Sequence, residues 1–169
     1  MSARFDLLSV TRLVLRILVV LNILFGVGLA ASMAVSLVAS SWVLSLLSAH
    51  HGDAAPTLLV GGRLVILVAL AGVPLGYLFL TRLLAMVETV RQGDPFIPEN
   101  ARRLQVIAQA MLGLQVLSLV EGMIGAAHPG LEIQAGFSVD GWLAVLLLFV
   151  LARVFHAGTR MRADLEGTV

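Results

Sequence analysis

The chain contains no cysteine and no lysine, and only 12% of its 169 residues are charged. Without cysteine there are no disulfides, no thiolate metal sites and no cysteine nucleophile. All 11 basic residues are arginine, which reads as compositional bias, and with a net charge of +1 no direct nucleic-acid contact is expected. The scarcity of charge excludes more. A soluble globular chain carries roughly 25% charged residues, and half that level cannot clothe a water-soluble domain of this size. What is abundant instead is apolar: 59% of the chain, with a mean hydropathy of +1.01.

A helix crossing a hydrocarbon core of about 30 Å needs roughly 20 residues at 1.5 Å each. Four stretches qualify, near 17–42, 64–84, 104–126 and 138–155. The expected fold is therefore all-α, one polytopic domain of four transmembrane helices with short loops. Trp42 suits an interfacial anchor at the outer end of the first span. The fourth span reaches bilayer length only if its helix starts near Phe137 and Arg153 extends to the headgroups. The apolar run after Arg4, Arg12 and Arg16 is too long for a signal-peptide core, so an uncleaved span is expected.

Orientation follows from the arginines, since basic short loops stay cytoplasmic. Four spans place Arg4, Arg12, Arg16, Arg82, Arg91, Arg102, Arg103, Arg153, Arg160 and Arg162 on one side, and Arg63 on the other. The expected location is the bacterial inner membrane with both termini cytoplasmic. Outer loops are expected near Ser48–Gly62 and His128–Asp140, where Gly and Pro cluster.

Helices in lipid associate through small and polar residues. Candidates are Ala30, Ala34, Ser32, Ser36 and Ser40 in the first span, Gly72 and Gly76 around Pro74 in the second, and Gln115, Ser118, Gly122 and Gly125 on one face of the third. Gln115 and Ser118 form the polar stripe of the bundle. Such a stripe serves helix-to-helix adhesion, and the alternative is a hydrated pathway. Glu121 lies about 27 Å along the helix from Arg103, which puts it at the depth of Arg63 and Asp140. An interhelical ion pair joining Arg63 to Glu121, Asp140 or both is expected. Its ordinary role is fixing register, although charge inside a membrane also flags ion sites. His50, His51, Asp53, His128 and Glu132 offer metal-ligand types, but their spacing matches no closed pattern. No metal, no cofactor and no catalytic residues are expected, because no nucleophile triad, phosphate loop or HExxH motif appears.

The most informative segment is the cytoplasmic hairpin, 91–103, with the sequence Arg91-Gln92-Gly93-Asp94-Pro95-Phe96-Ile97-Pro98-Glu99-Asn100-Ala101-Arg102-Arg103. Gly93 suits the C-terminal end of one helix. Asp94-Pro95 dictates a turn or extended chain. Pro98 suits the first position of the next helix, and Glu99 complements its dipole. Phe96 and Ile97 are held between two prolines, where they either fold back on the bundle or dock a partner. The candidate docking residues are Asp94, Pro95, Phe96, Ile97, Pro98, Glu99 and Asn100, together with Leu165 in the tail, 156–169. The tail's basic part, with Arg160 and Arg162, suits anionic headgroups.

The GDPF-IPEN-ARRL element and the tail, whose basic residues precede Asp164 and Glu166 and which ends in Thr168-Val169, resemble a bacterial membrane family called domain of unknown function 2975. The chain departs from the family's usual ending at Gly167, where a bulkier residue is common. The family has no established activity. Its members often occur beside a small cytosolic helix-turn-helix regulator. The resemblance therefore implies a regulatory or sensory membrane component acting through such a partner. Alternatives are a small transporter or channel subunit, which predicts a homo-oligomer and a lined cavity near Gln115, and a membrane enzyme using Arg63, Glu121 and Asp140.

Overall fold

The structure is a computed structural model that describes residues 2–93 and 96–166, with side chains described for 8–93 and 96–161. It is all-helical among the described residues. The helices are α1 (Ser2–Val38), α2 (Ser40–His51), α3 (Ala55–Arg91), α4 (Pro98–Ala127) and α5 (Val139–Glu166), with a single 3-10 turn at Gly52–Ala54. Four helical stretches are long and apolar enough to cross a membrane: Leu8–Val38, Ser40–Arg91, Pro98–Ala127 and Val139–Met161. At 1.5 Å per residue, the 37 residues of α3 extend about 55 Å, well beyond a core of about 30 Å. One end of α3 therefore stands in the headgroup region or beyond it.

The spanning helices form a row. α1 packs on α3, α3 on α4 and α4 on α5, while the backbones of α1 and α5 do not meet. Each edge helix thus buries one side only, and residues such as Leu13, Phe25, Leu146 and Leu147 stay exposed, as befits a lipid-facing surface. Burial concentrates on α4, where Asn100, Ala101, Leu104, Ile107, Ala108 and Ala110 are all buried. Phe79, Leu83 and Met86 of α3 and Leu148 and Phe155 of α5 pack around Leu104, Ile107 and Ala152. This core lies in the half of the helices nearest the hairpin.

Glycines set the close approaches. A Cβ at Gly26 would come within 2.8 Å of Val73, one at Gly76 within 2.7 Å of Asn22, and one at Gly113 within 2.8 Å of Leu75. Gly76 therefore serves the close helix packing expected of it, whereas Gly122 and Gly125 lie against the connection at 133–136, and a Cβ at Gly72 would meet Leu114 only at 3.6 Å. The first span behaves differently. Ala30, Ser32 and Ala34 are exposed, and of that series Ser36 alone is buried.

The expected first outer loop, Ser48–Gly62, is largely helical. α2 continues to His51, and α3 begins at Ala55 with Pro56 in its first turn, where a missing N–H costs nothing. Gly61 and Gly62 lie inside α3. Gly61 is buried because His128 and Leu131 of the second connection press on it; a Cβ there would meet them at 2.8 and 2.6 Å. Its small size serves packing, and the loop signal was misleading for that reason.

Candidate functional site

The polar chemistry gathers where α3 turns into α4. Gly93 has φ +92°, a left-handed conformation cheap only for glycine, and its N–H donates to the Val90 carbonyl at 3.1 Å. Ile97 is extended, as the residue before a proline should be, and Pro98 opens α4. This turn delivers Asn100 into the interface with α3, where it is fully buried.

Asn100 is the centre of a clasp. Its Nδ2 donates to Thr89 Oγ1 at 2.7 Å, and Arg103 Nη1 donates to its Oδ1 at 2.9 Å. Arg103 Nη1 also donates to the Ala85 carbonyl at 3.2 Å. Thr89 has one hydroxyl hydrogen. With Oγ1 accepting from Asn100, that hydrogen is available to the Met86 carbonyl at 2.8 Å, and Arg103 supplies Oδ1. Three side chains thus tie α3 to α4 across the hairpin. Near the same end Glu88 pairs with Arg12 of α1 at 3.6 Å and with Arg91 at 4.0 Å.

Phe96 joins the hairpin to α5. Its ring stacks on Phe155, with centroids 5.3 Å apart and planes inclined by 26°. It also lies at van der Waals distance from Gly158, 3.7 Å from where a Cβ would stand. The Phe96 side of the hairpin therefore folds back on the bundle, yet 48% of Phe96 remains exposed. Ile97 is half-buried, and Pro98 and Glu99 are exposed. Asn100 does not belong with them: a fully buried amide whose polar atoms are engaged has no surface to offer a partner. Asp94, Pro95 and the Leu165 side chain lie outside the described residues.

Beside this platform, α4 and α5 enclose a groove of about 820 Å³ lined by Ala101 and Gln105 of α4 and by Phe149, Ala152, Arg153, His156 and Arg160 of α5, among others. Among these lining residues there is no acidic side chain.

At the opposite end the expected ion pair is replaced by another contact. Arg63 Nε donates to Ser36 Oγ at 2.8 Å, and its Nη2 donates to the Ser36 carbonyl. Neither Glu121 nor Asp140 pairs with it among the described residues. The reason is rotational. Successive helical residues turn by about 100°, so Arg63 sits roughly 200° from Gly61, the position that faces His128 on the α4 side. Arg63 points toward α1 instead. There the helix breaks at Ala39 (φ −106°, ψ 38°), and Arg63 takes the Ser36 carbonyl just before the break. A carbonyl freed in lipid is costly to leave unpaired. Glu121 instead lines a cavity of about 410 Å³ with Asn22, Gly72, Gly76 and Ser118, and Asp140 is exposed in the first turn of α5.

The two residues of the polar stripe pack against α5 and the segment leading into it. The Gln115 amide presses directly on Gly141 of α5. Ser118 Oγ donates to the Gly136 carbonyl and accepts from the Gly136 N–H, both at 3.3 Å. Among the described residues, the buried side-chain atoms without a hydrogen-bond partner are Gln115 Oε1, Trp142 Nε1 and Asn22 Oδ1. Asn22 is a strongly polar residue missed in the sequence, and a lone asparagine in the apolar run of α1 was its signal. No group of three metal-ligand side chains occurs among the described residues; His50 Nδ1 and His128 Nδ1 lie against the Leu46 and Ile124 carbonyls at 3.1 and 2.9 Å.

No curated protein and no solved structure shows significant similarity to the chain. A family model described as a protein of unknown function (DUF2975) matches residues 15–169, a stretch holding the hairpin, its clasp, the groove and all four apolar spans. The chain belongs to that family.

Proposed function

We propose that the chain is a regulatory or sensory component of a bacterial inner membrane, with both termini and the 91–103 hairpin in the cytoplasm, acting through a soluble partner. The observation that carries this reading is the position of Phe96. About half of the residue is exposed, and the segment that bears it is tied to α3 and α4 through Asn100 and to α5 through Phe155. A partner touching Phe96 would be mechanically joined to three of the four spans. An exposed aromatic on a rigid support suits an interface anchor, since little side-chain entropy is lost on docking. The arginine distribution supports the orientation. The partner in this reading is a small helix-turn-helix regulator.

The test is photo-crosslinking in native membranes, with a benzophenone amino acid at Phe96, a second at Leu165, and a control at Phe25, which is exposed on α1. Capture of one discrete DNA-binding regulator at Phe96 or Leu165 but not at Phe25 is the expected result. Adducts at both positions confined to the chain itself would overturn the reading.

A further inference from the structure

We propose that the groove between α4 and α5 binds the phosphate headgroup of an anionic phospholipid from the leaflet at the arginine-rich end. The inference stands on the groove's own geometry and holds whether or not Phe96 docks a partner.

Phe149, Arg153, His156 and Arg160 follow one another at spacings of four, three and four residues. At about 100° per residue they fall within roughly 60° of arc and form a single stripe. Along the axis, Arg153, His156 and Arg160 lie about 6, 10 and 16 Å beyond Phe149. The stripe is therefore apolar at its membrane end and cationic toward its exit. The charge-free run of α5 ends at Ala152 and is followed by Arg153 and Arg160, so the guanidinium groups stand toward the headgroups. The neighbouring face of α5, with Val145, Ala152 and Thr159 buried, runs along α4. The stripe borders this seam, and Ala101 and Gln105 of α4 form the far wall.

The chemistry selects the occupant. Two guanidinium groups, one imidazole and one amide, all exposed, line a space of about 820 Å³ with no carboxylate among the described lining residues. Guanidinium groups recognise phosphate oxygens through paired donors. Phe149 and the buried Ala152 continue the groove into the apolar span, where an acyl chain would lie and a free phosphate would gain nothing. A zwitterionic headgroup carries its own ammonium, which the two arginines repel. The cavity of about 580 Å³ at the opposite end, lined by Arg63 and His51 among mostly apolar residues, differs in having a single guanidinium, which Ser36 engages.

The experiment is native mass spectrometry of the full chain in detergent, titrated with phosphatidylglycerol or phosphatidylcholine. A basic residue near an anionic surface contributes about fivefold in affinity. Phosphatidylglycerol is expected to bind at least tenfold more tightly than phosphatidylcholine, and Arg153→Gln/Arg160→Gln to remove that preference. The control Arg82→Gln/Arg102→Gln removes two exposed arginines at the same end but outside the groove, and should leave the preference within twofold. Equal affinity for the two lipids, or equal losses in the two double variants, would overturn the proposal. Where the groove variant does not fold, competition on the unmodified chain decides: displacement of the lipid by equimolar glycerol 3-phosphate would assign a soluble phosphate site and overturn the lipid proposal, whereas retention supports it.

Discussion

The two ends of the bundle are joined by different means. At the hairpin end, three helices share an apolar core around Leu104 and Ile107, and α3 and α4 are tied by Asn100, Thr89 and Arg103. At the other end, contact depends on small residues, such as Gly61 against His128 and Leu131, and on one cation serving a broken helix, Arg63 on Ser36. The hairpin end invests in satisfied hydrogen bonds between buried groups, and removing one partner there orphans the others. The opposite end relies on shape, on the long Ser118–Gly136 hydrogen bonds and on a single capping cation. The bundle should therefore open from the Arg63 end first.

Four substitutions test that contrast. The largest effect is expected at Asn100→Leu, which strands an Arg103 donor and the Thr89 acceptor inside the interface. A buried polar group left unsatisfied costs about 1–3 kcal/mol, more when charged, so about 3 kcal/mol should be lost in denaturant unfolding from micelles; a loss under 1 kcal/mol would mean the clasp is incidental. Arg63→Ala should cost less, about 1–2 kcal/mol, because it removes the charged donor itself and leaves only the Ser36 oxygens without a partner. Hydrogen exchange should accelerate around residues 36–40 while the hairpin amides stay protected; uniform acceleration would abolish the distinction between the ends. Phe96→Ala removes a stacked pair worth about 0.5–1.5 kcal/mol beyond its burial, and a double-mutant cycle with Phe155→Ala should return a coupling of that size. The smallest effect belongs to Arg12→Gln. Its pair with Glu88 is partly exposed at 3.6 Å, and such pairs are worth about 0–1 kcal/mol. A larger loss would show that α1 is anchored to α3 mainly by charge.

Some of this was readable residue by residue. Gly93, Pro98 and Glu99 announced the end of one helix and the start of the next, because backbone preference is local and acts wherever those residues occur. Gly76 signalled close packing for the same kind of reason. Asn100 was misassigned to the exposed surface. It lies in a polar stretch, and only the partner helix decides that its amide turns inward toward Thr89. Arg63 was matched to acids at its own depth, since axial position follows from counting residues, whereas its direction depends on how α3 is rotated against α1 and α4.

The sequence by itself determined that the chain is helical, that it has four apolar spans, and that one end carries nearly all the arginine. These properties are set by composition and one-dimensional spacing: the length of an apolar run, the place of a proline, the side on which a charge falls. Tertiary structure alone decided that the helices stand in a row with α1 and α5 at the edges, that Arg63 caps α1, that Asn100 joins α3 to α4, and that Arg153, His156 and Arg160 face a groove walled by α4. Each depends on the rotation of one helix about its axis relative to another, and that rotation is chosen by the sum of contacts along the whole interface.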